Sequence, residues 1–94
     1  MRLVLTSRAR ADLDEILRFI AQDSPRAAVA MMARIDGVIQ QLVAGELQGP
    51  EVQFRNGRRA QRWPVPPYRI YYRRTRTRTT ILRVYHGARR PIER

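Results

Sequence analysis

Apolar positions recur at helical spacing in the first half of the chain and alternate in the second. Arg2 to Thr6 alternates weakly, with Leu3 and Leu5 opposite Val4, which predicts a short strand buried on both faces. Ser7 is placed as a helix N-cap, and Ala9, Leu13, Ile16, Leu17 and Ile20 then mark one face of a helix over Arg8 to Gln22. Asp12, Asp14 and Glu15 fall early in that helix, where its dipole favours negative charge, and read as a solvated face. Ser24 followed by Pro25 is a second start signal only a few residues on, so the two helices must fold back as a hairpin. Ala28, Met32, Ile35, Ile39 and Leu42 form the inward stripe of the second helix, which Gly45 ends. Ala27, Ala30 and Ala33 are expected to let the helix backbones approach closely.

The second half is punctuated by turn signals. Gln48 to Phe54, broken by Gly49-Pro50, is a loop or a weak strand, and Asn56-Gly57 is a tight turn. Arg58 to Val65 reads as a strand with Trp63 and Val65 on one face, and Pro64, Pro66 and Pro67 end it and turn the chain. Tyr68 to Arg90 is then a hairpin. Ile70 and Tyr72 point to one face of its first strand and Arg69, Tyr71 and Arg73 to the other. In the return strand, Thr80 to His86, strict alternation puts Leu82 and Val84 in the core and Ile81, Arg83 and Tyr85 on a basic, aromatic surface. The architecture expected is α+β: a short N-terminal strand, an antiparallel helix hairpin and a three-stranded antiparallel meander, forming one sheet with the helices on one face.

Ninety-four residues, 44% of them apolar, fit a single domain over 1–94 with one modest core. Cysteine is absent, so there is no thiolate chemistry and no sign of an oxidising compartment. The apolar run at the start is too short for a signal peptide, and the longest uninterrupted one, Ala27 to Ala33, is far short of a membrane span, so a cytoplasmic protein is expected, with no membrane partner. The net charge of +11 is lopsided: residues 1–47 carry six arginines against six acids, whereas residues 48–94 carry thirteen against two. Arginines two apart on a strand lie roughly 7 Å from one another, within the roughly 8 Å screening length of physiological salt, so they act as one patch that suits an anionic partner. The chain has nineteen arginines and no lysine, so part of this basicity reflects residue usage as readily as function.

One histidine, no cysteine and scattered acids offer no metal set, and no phosphate loop or dinucleotide fingerprint is present, so no cofactor is expected. His86 could carry a proton, although a lone histidine more often serves a structural hydrogen bond. Thr6-Ser7-Arg8-Ala9 with Asp12-Leu13 and Ile16, Ser24-Pro25 with Ala27-Ala28, Arg62-Trp63-Pro64-Val65, Tyr68-Arg69-Ile70-Tyr71-Tyr72-Arg73 and Val84-Tyr85-His86-Gly87-Ala88-Arg89 together resemble the ParE/RelE superfamily of bacterial type II toxins. Their order and spacing span nearly the whole chain.

The resemblance implies a compact toxin held inactive by a cognate antitoxin with a flexible, acidic segment, for which Arg69, Tyr71, Arg73, Arg83, Tyr85, Arg89 and Arg90 are the candidate contacts. It also implies one of two targets. The RelE branch cleaves mRNA on the ribosome, which would cast Arg69, His86, Arg89 and Tyr85 as the catalytic set, whereas the ParE branch poisons DNA gyrase with no known hydrolytic site. RNA cleavage needs a base, an acid and positive charge on the phosphate, and arginine supplies only the last. The lysines of the RelE branch are missing, as is its tyrosine beyond the second arginine. The setting of Tyr85-His86-Gly87-Ala88-Arg89 is similar to ParE, so the gyrase reading is favoured and no catalytic residue is assigned. A basic nucleic-acid-binding domain without toxicity is the third expectation.

Overall fold

The computed structural model describes residues 2–94. Its elements run β1 (Arg2–Leu5), α1 (Ser7–Ala21), α2 (Pro25–Ala44), β2 (Glu51–Gln53), β3 (Arg59–Val65), β4 (Tyr68–Arg74) and β5 (Arg78–His86). The strands make one sheet in the order β1-β5-β4-β3-β2. β2 to β5 form an antiparallel meander and β1 joins its far side parallel to β5. The segment left open in the sequence thus supplies a fourth meander strand, three residues long. β1 lies at the edge rather than enclosed on both faces: Arg2 is exposed and Leu3 and Leu5 are only half-buried against the core.

Both helices start where a hydroxyl satisfies a free amide. Ser24 caps α2 as expected, its Oγ accepting the Ala27 N–H at 3.1 Å, with Pro25 at the first helical position. For α1 the cap is Thr6 rather than Ser7, with Thr6 Oγ1 accepting the Ala9 N–H at 3.0 Å. The same hydroxyl donates to the Leu82 carbonyl, which ties the strand-to-helix corner to β5. Gly45 ends α2 in the left-handed region at φ 78°, a conformation glycine adopts without a Cβ clash.

Both helices cover one face of the sheet. Ala9 and Ile16 from α1, Ala28, Ile35, Ile39 and Leu42 from α2, and Val65, Tyr68, Ile70, Tyr72, Ile81 and Val84 from the strands are all buried there. By length and composition α2 would suit a membrane span, but it lays its stripe on this sheet and turns Arg26, Arg34 and Asp36 outward. Ala27, Ala30 and Ala33 are exposed, so the close approach expected of them is not theirs.

The sheet departs from strict alternation at one point. β4 and β5 pair Tyr71 with Arg83 but Tyr72 with Ile81, leaving Leu82 as the extra residue of a β-bulge. The bulge shifts the phase of β5 by one, so Ile81 and Val84 share the core face, with Ile81 fully buried and Leu82 only half-buried. Leu82 lines the opposite face beside Thr6, Phe54, Arg73 and Ile92, which reverses the sequence expectation for Ile81 and Leu82.

Pro64 is tolerated inside β3 because β2 pairs only with residues 59 to 61. The Arg62 N–H already reaches past β2 to the Pro50 carbonyl, and two residues on, where proline has no N–H to offer, β3 is paired only on its β4 side among the described residues. Pro66-Pro67, joined by a cis bond, makes the turn into β4.

Candidate partner-binding face

The face of the sheet away from the helices carries the basic residues. Arg69, Tyr71 and Arg73 project there from alternate positions of β4, with Arg62 from β3 and Arg83 and Tyr85 from β5. The chain beyond β5 folds back across this face. Phe54 and Glu93 form an isolated antiparallel bridge, in which the Arg55 N–H donates to the Ile92 carbonyl and the Arg94 N–H to the Gln53 carbonyl, both at 2.8 Å. Phe54 stacks obliquely on Tyr71 with ring centroids 5.3 Å apart and helps to bury it.

Glu93 is the hub of the result. Arg62 donates to both of its oxygens at 2.9 and 2.8 Å, the Tyr71 hydroxyl donates at 2.6 Å, and an Arg69 nitrogen stands 3.8 Å away. Burial pushes the Glu93 carboxyl up, but the bonds from Tyr71 and Arg62 and the charges of Arg62 and Arg69 outweigh it and hold the group below its usual value. Tyr71 is raised above the ordinary phenol, first by burial and then by its bond to Glu93. A cavity of about 230 Å³ opens beside this cluster, lined by Arg69, Tyr71, Tyr85, His86 and Arg89 among others.

The second polar cluster lies at the β5 edge. β1 pairs with β5 only as far as Ile81, so from Leu82 onward the outer side of β5 lacks a strand neighbour. Asp12 of α1 fills the gap: its carboxylate accepts the Val84 N–H at 3.0 Å and two bonds from Arg83, at 2.8 and 3.1 Å. Asp12 is therefore a buried substitute for a strand partner, not part of a solvated helix face. Its hydrogen bond to Arg83 raises the already high guanidinium pKa further.

The seven candidate contacts consequently do different things. Arg69, Arg73, Arg89 and Arg90 are exposed. Arg83, expected at the surface, is held in the Asp12 pair with only 18% of its side chain accessible. Tyr71 is 1% exposed beneath Phe54. Tyr85 is buried between two guanidinium groups, Arg83 at 5.1 Å and Arg89 at 5.3 Å from its ring centre, and its hydroxyl donates to the Arg90 carbonyl. His86 is half-buried, with Nδ1 accepting the Ala88 N–H at 2.9 Å and its ring meeting Tyr68 edge-on at 5.3 Å. One end of the sheet thus gathers Arg69, Tyr85, His86 and Arg89, while Arg73 sits toward the other end, donating to the Arg59 carbonyl. Arg62, Glu93 and Asp12 are the residues that the sequence reading missed.

On the helix side of the same end, Ile16, Tyr68 and Val84 floor a mostly apolar groove of about 400 Å³, rimmed by Phe19, Glu15 and Arg89. Phe19 is 66% exposed on that rim. An apolar groove beside a basic face can accept an amphipathic segment that carries acids along one side.

An α+β domain with a helix hairpin on one face of its sheet and a basic, strapped face opposite corresponds to a known class of small toxins. The sequence model described as the ParE toxin of the type II toxin-antitoxin system, parDE, matches residues 3–91, and the chain belongs to that family. A solved structure titled as the chromosomal ParDE toxin-antitoxin system from P. aeruginosa has the same fold, with a TM-score of 0.73 at 23% identity over 92% of this chain and 95% of that one. A comparison with curated proteins finds no match.

Proposed function

We propose that the protein acts in the cytoplasm as a toxin that inhibits DNA gyrase and is neutralised by a cognate antitoxin whose acidic segment lies across the basic face and into the adjoining groove. The observation that carries the choice of target is that the Tyr85 hydroxyl and one ring nitrogen of His86 are already hydrogen-bonded within the chain. His86 spends Nδ1 on the Ala88 amide and packs its ring on Tyr68, while the Tyr85 hydroxyl is bound to the Arg90 carbonyl. With no lysine in the chain, the exposed groups of this face are arginines, which bind anions but exchange no protons at neutral pH. Such a face is equipped to grip a protein surface rather than to cleave a phosphodiester.

One observation favours the nuclease alternative: Arg69, Tyr85, His86 and Arg89 all line the same cavity. The two readings separate cleanly in purified systems. We expect the protein to block gyrase supercoiling and trap cleaved DNA while leaving ribosome-bound mRNA intact, and a folded His86→Gln variant to poison gyrase nearly as well. If the wild type instead cuts mRNA at the ribosome and His86→Gln loses about a hundredfold or more of that rate, as removal of a general acid or base does, the nuclease reading replaces this one.

A further inference from the structure

We infer that Arg62, Arg69 and Tyr71 form a carboxylate socket that Glu93 fills from within the chain, and that residues 92–94 stand in for an extended acidic segment of a protein partner that displaces them. The inference deepens the antitoxin reading by naming where one of its acidic side chains would sit.

The socket is built into the sheet. Arg62 and Tyr71 are paired residues of β3 and β4, so their side chains rise together from the two central strands of the meander, and Arg69 comes from two positions before Tyr71 on the same face. All three converge on Glu93. Tyr71 itself lies under Phe54, so its hydroxyl has a fixed direction and a high cost if left without an acceptor. The site therefore calls for an oxyanion whatever supplies it.

The internal occupant is poorly matched to the rest of the face. Residues 89–94 carry three arginines to one glutamate, and Arg89 and Arg94 line the same cavity as Arg62 and Arg69, so like charges crowd around a single carboxylate. Beyond the Tyr85 hydroxyl at the Arg90 carbonyl, the backbone of residues 91–94 is held on the sheet by the bridge at Phe54, and Pro91 has no N–H to extend it. A partner segment could repeat that bridge on Gln53 and Arg55, place one carboxylate in the socket and offer further carboxylates to Arg69 and Arg89. It would exchange repulsion for attraction at each of these positions. Against this, Glu93 has the advantage of being tethered, at an effective concentration on the order of millimolar, so displacement needs several acids acting together.

The experiment uses the whole chain and a blocked hexapeptide that alternates valine and glutamate, with its valine-glutamine counterpart as control, followed by fluorescence anisotropy. Glu93→Gln and Glu93→Ala should each bind the glutamate peptide about tenfold more tightly than the wild type, and Arg62→Met or Tyr71→Phe, placed on the Glu93→Ala background, should remove that gain. A cooperative thermal transition checks that each variant is folded, and the two Glu93 variants guard against a substitution that merely mimics the carboxylate. Equal binding by wild type and both Glu93 variants would overturn the inference, as would a gain that survives loss of Arg62 and Tyr71. A short oligothymidylate that binds Glu93→Ala more tightly than the peptide does would reassign the socket to phosphate. Gyrase inhibition plays no part in this readout, so the socket and the toxin reading can fail separately.

Discussion

At the scale of single residues, the stability of this protein rests on a few side chains whose environment is set by neighbours distant in sequence. Ile81 and Leu82 are adjacent and chemically alike, yet Ile81 is fully buried in the core whereas Leu82 is half-buried on the other face. Ile81→Ala should cost roughly 2 to 5 kcal/mol in a denaturant titration and Leu82→Ala clearly less; equal losses would contradict the bulge. Arg83 is an equally sharp case. A solvated arginine loses about 0.5 kcal/mol or less on truncation, but removing Arg83 leaves the buried Asp12 carboxylate without its cation, for which roughly 3 kcal/mol is expected. Glu93 adds a pH signature. Its folded pKa is depressed, so its contribution is complete above the ordinary carboxylate value and is lost as pH falls through the folded one. Wild type should therefore exceed Glu93→Gln in melting temperature near pH 6 and lose that lead progressively as acid takes the pH below the ordinary carboxylate value and through the folded one; a gap unchanged by acid would mean that the Glu93 charge contributes nothing. Tyr71 and Tyr68 titrate the other way, both raised by burial, so an ultraviolet titration should find two phenols ionising later than a free tyrosine.

At the scale of elements, what was legible in the sequence is what local chemistry decides. Ser24-Pro25, the stripe from Ala28 to Leu42, Gly45 and Asn56-Gly57 each specify their structure within a few residues, and each forms as read. The superfamily and the α+β architecture followed from that order. The bulge was not legible, because Ile81-Leu82-Arg83-Val84 alternates acceptably in either phase, and the choice is made by pairing with Tyr71 and Tyr72, nine to twelve residues away. The role of Asp12 was half legible. It lies three residues after Ala9 and four before Ile16, on the buried stripe of α1, and an acid on an apolar face is a signal that it has a partner. What the sequence could not supply was the end of β1 at Leu5, which leaves the Val84 N–H in need of an acceptor. Asp12→Ala should accordingly speed hydrogen exchange at the Val84 amide far more than at the Ile70 amide of β4, and exchange that rises equally at both would point to general loosening instead. Within the candidate site, Arg69 and Arg89 were found because the family motif contains them. Arg62 and Glu93 escaped because their pairing, 31 residues apart, exists only once the chain folds back over the sheet.

At the scale of the whole molecule, the lopsided charge of the sequence becomes a lopsided surface. Both acids of the second half are already committed, Glu51 to Arg59 and Glu93 to Arg62 and Arg69, so they leave the remaining arginines of that half without a carboxylate among the described residues, apart from Arg83 with Asp12. A face of this kind attracts an acidic segment over distances comparable with the screening length before any contact forms, so charge should govern the rate of association more than the lifetime of the complex. Arg83 and Tyr85 belong to the framework under that face, and their replacement would confuse steering with folding. The informative variant changes only exposed positions, Arg69, Arg73 and Arg89 to glutamine. In stopped-flow association with the acidic segment proposed for the antitoxin, the wild-type rate should fall by about tenfold or more between low and high salt, while the triple variant starts slower and shows a much flatter salt dependence. Wild-type association that proceeds equally fast across that range would show that the basic face does not steer the partner, and would move the recognition to the apolar groove beside Phe19.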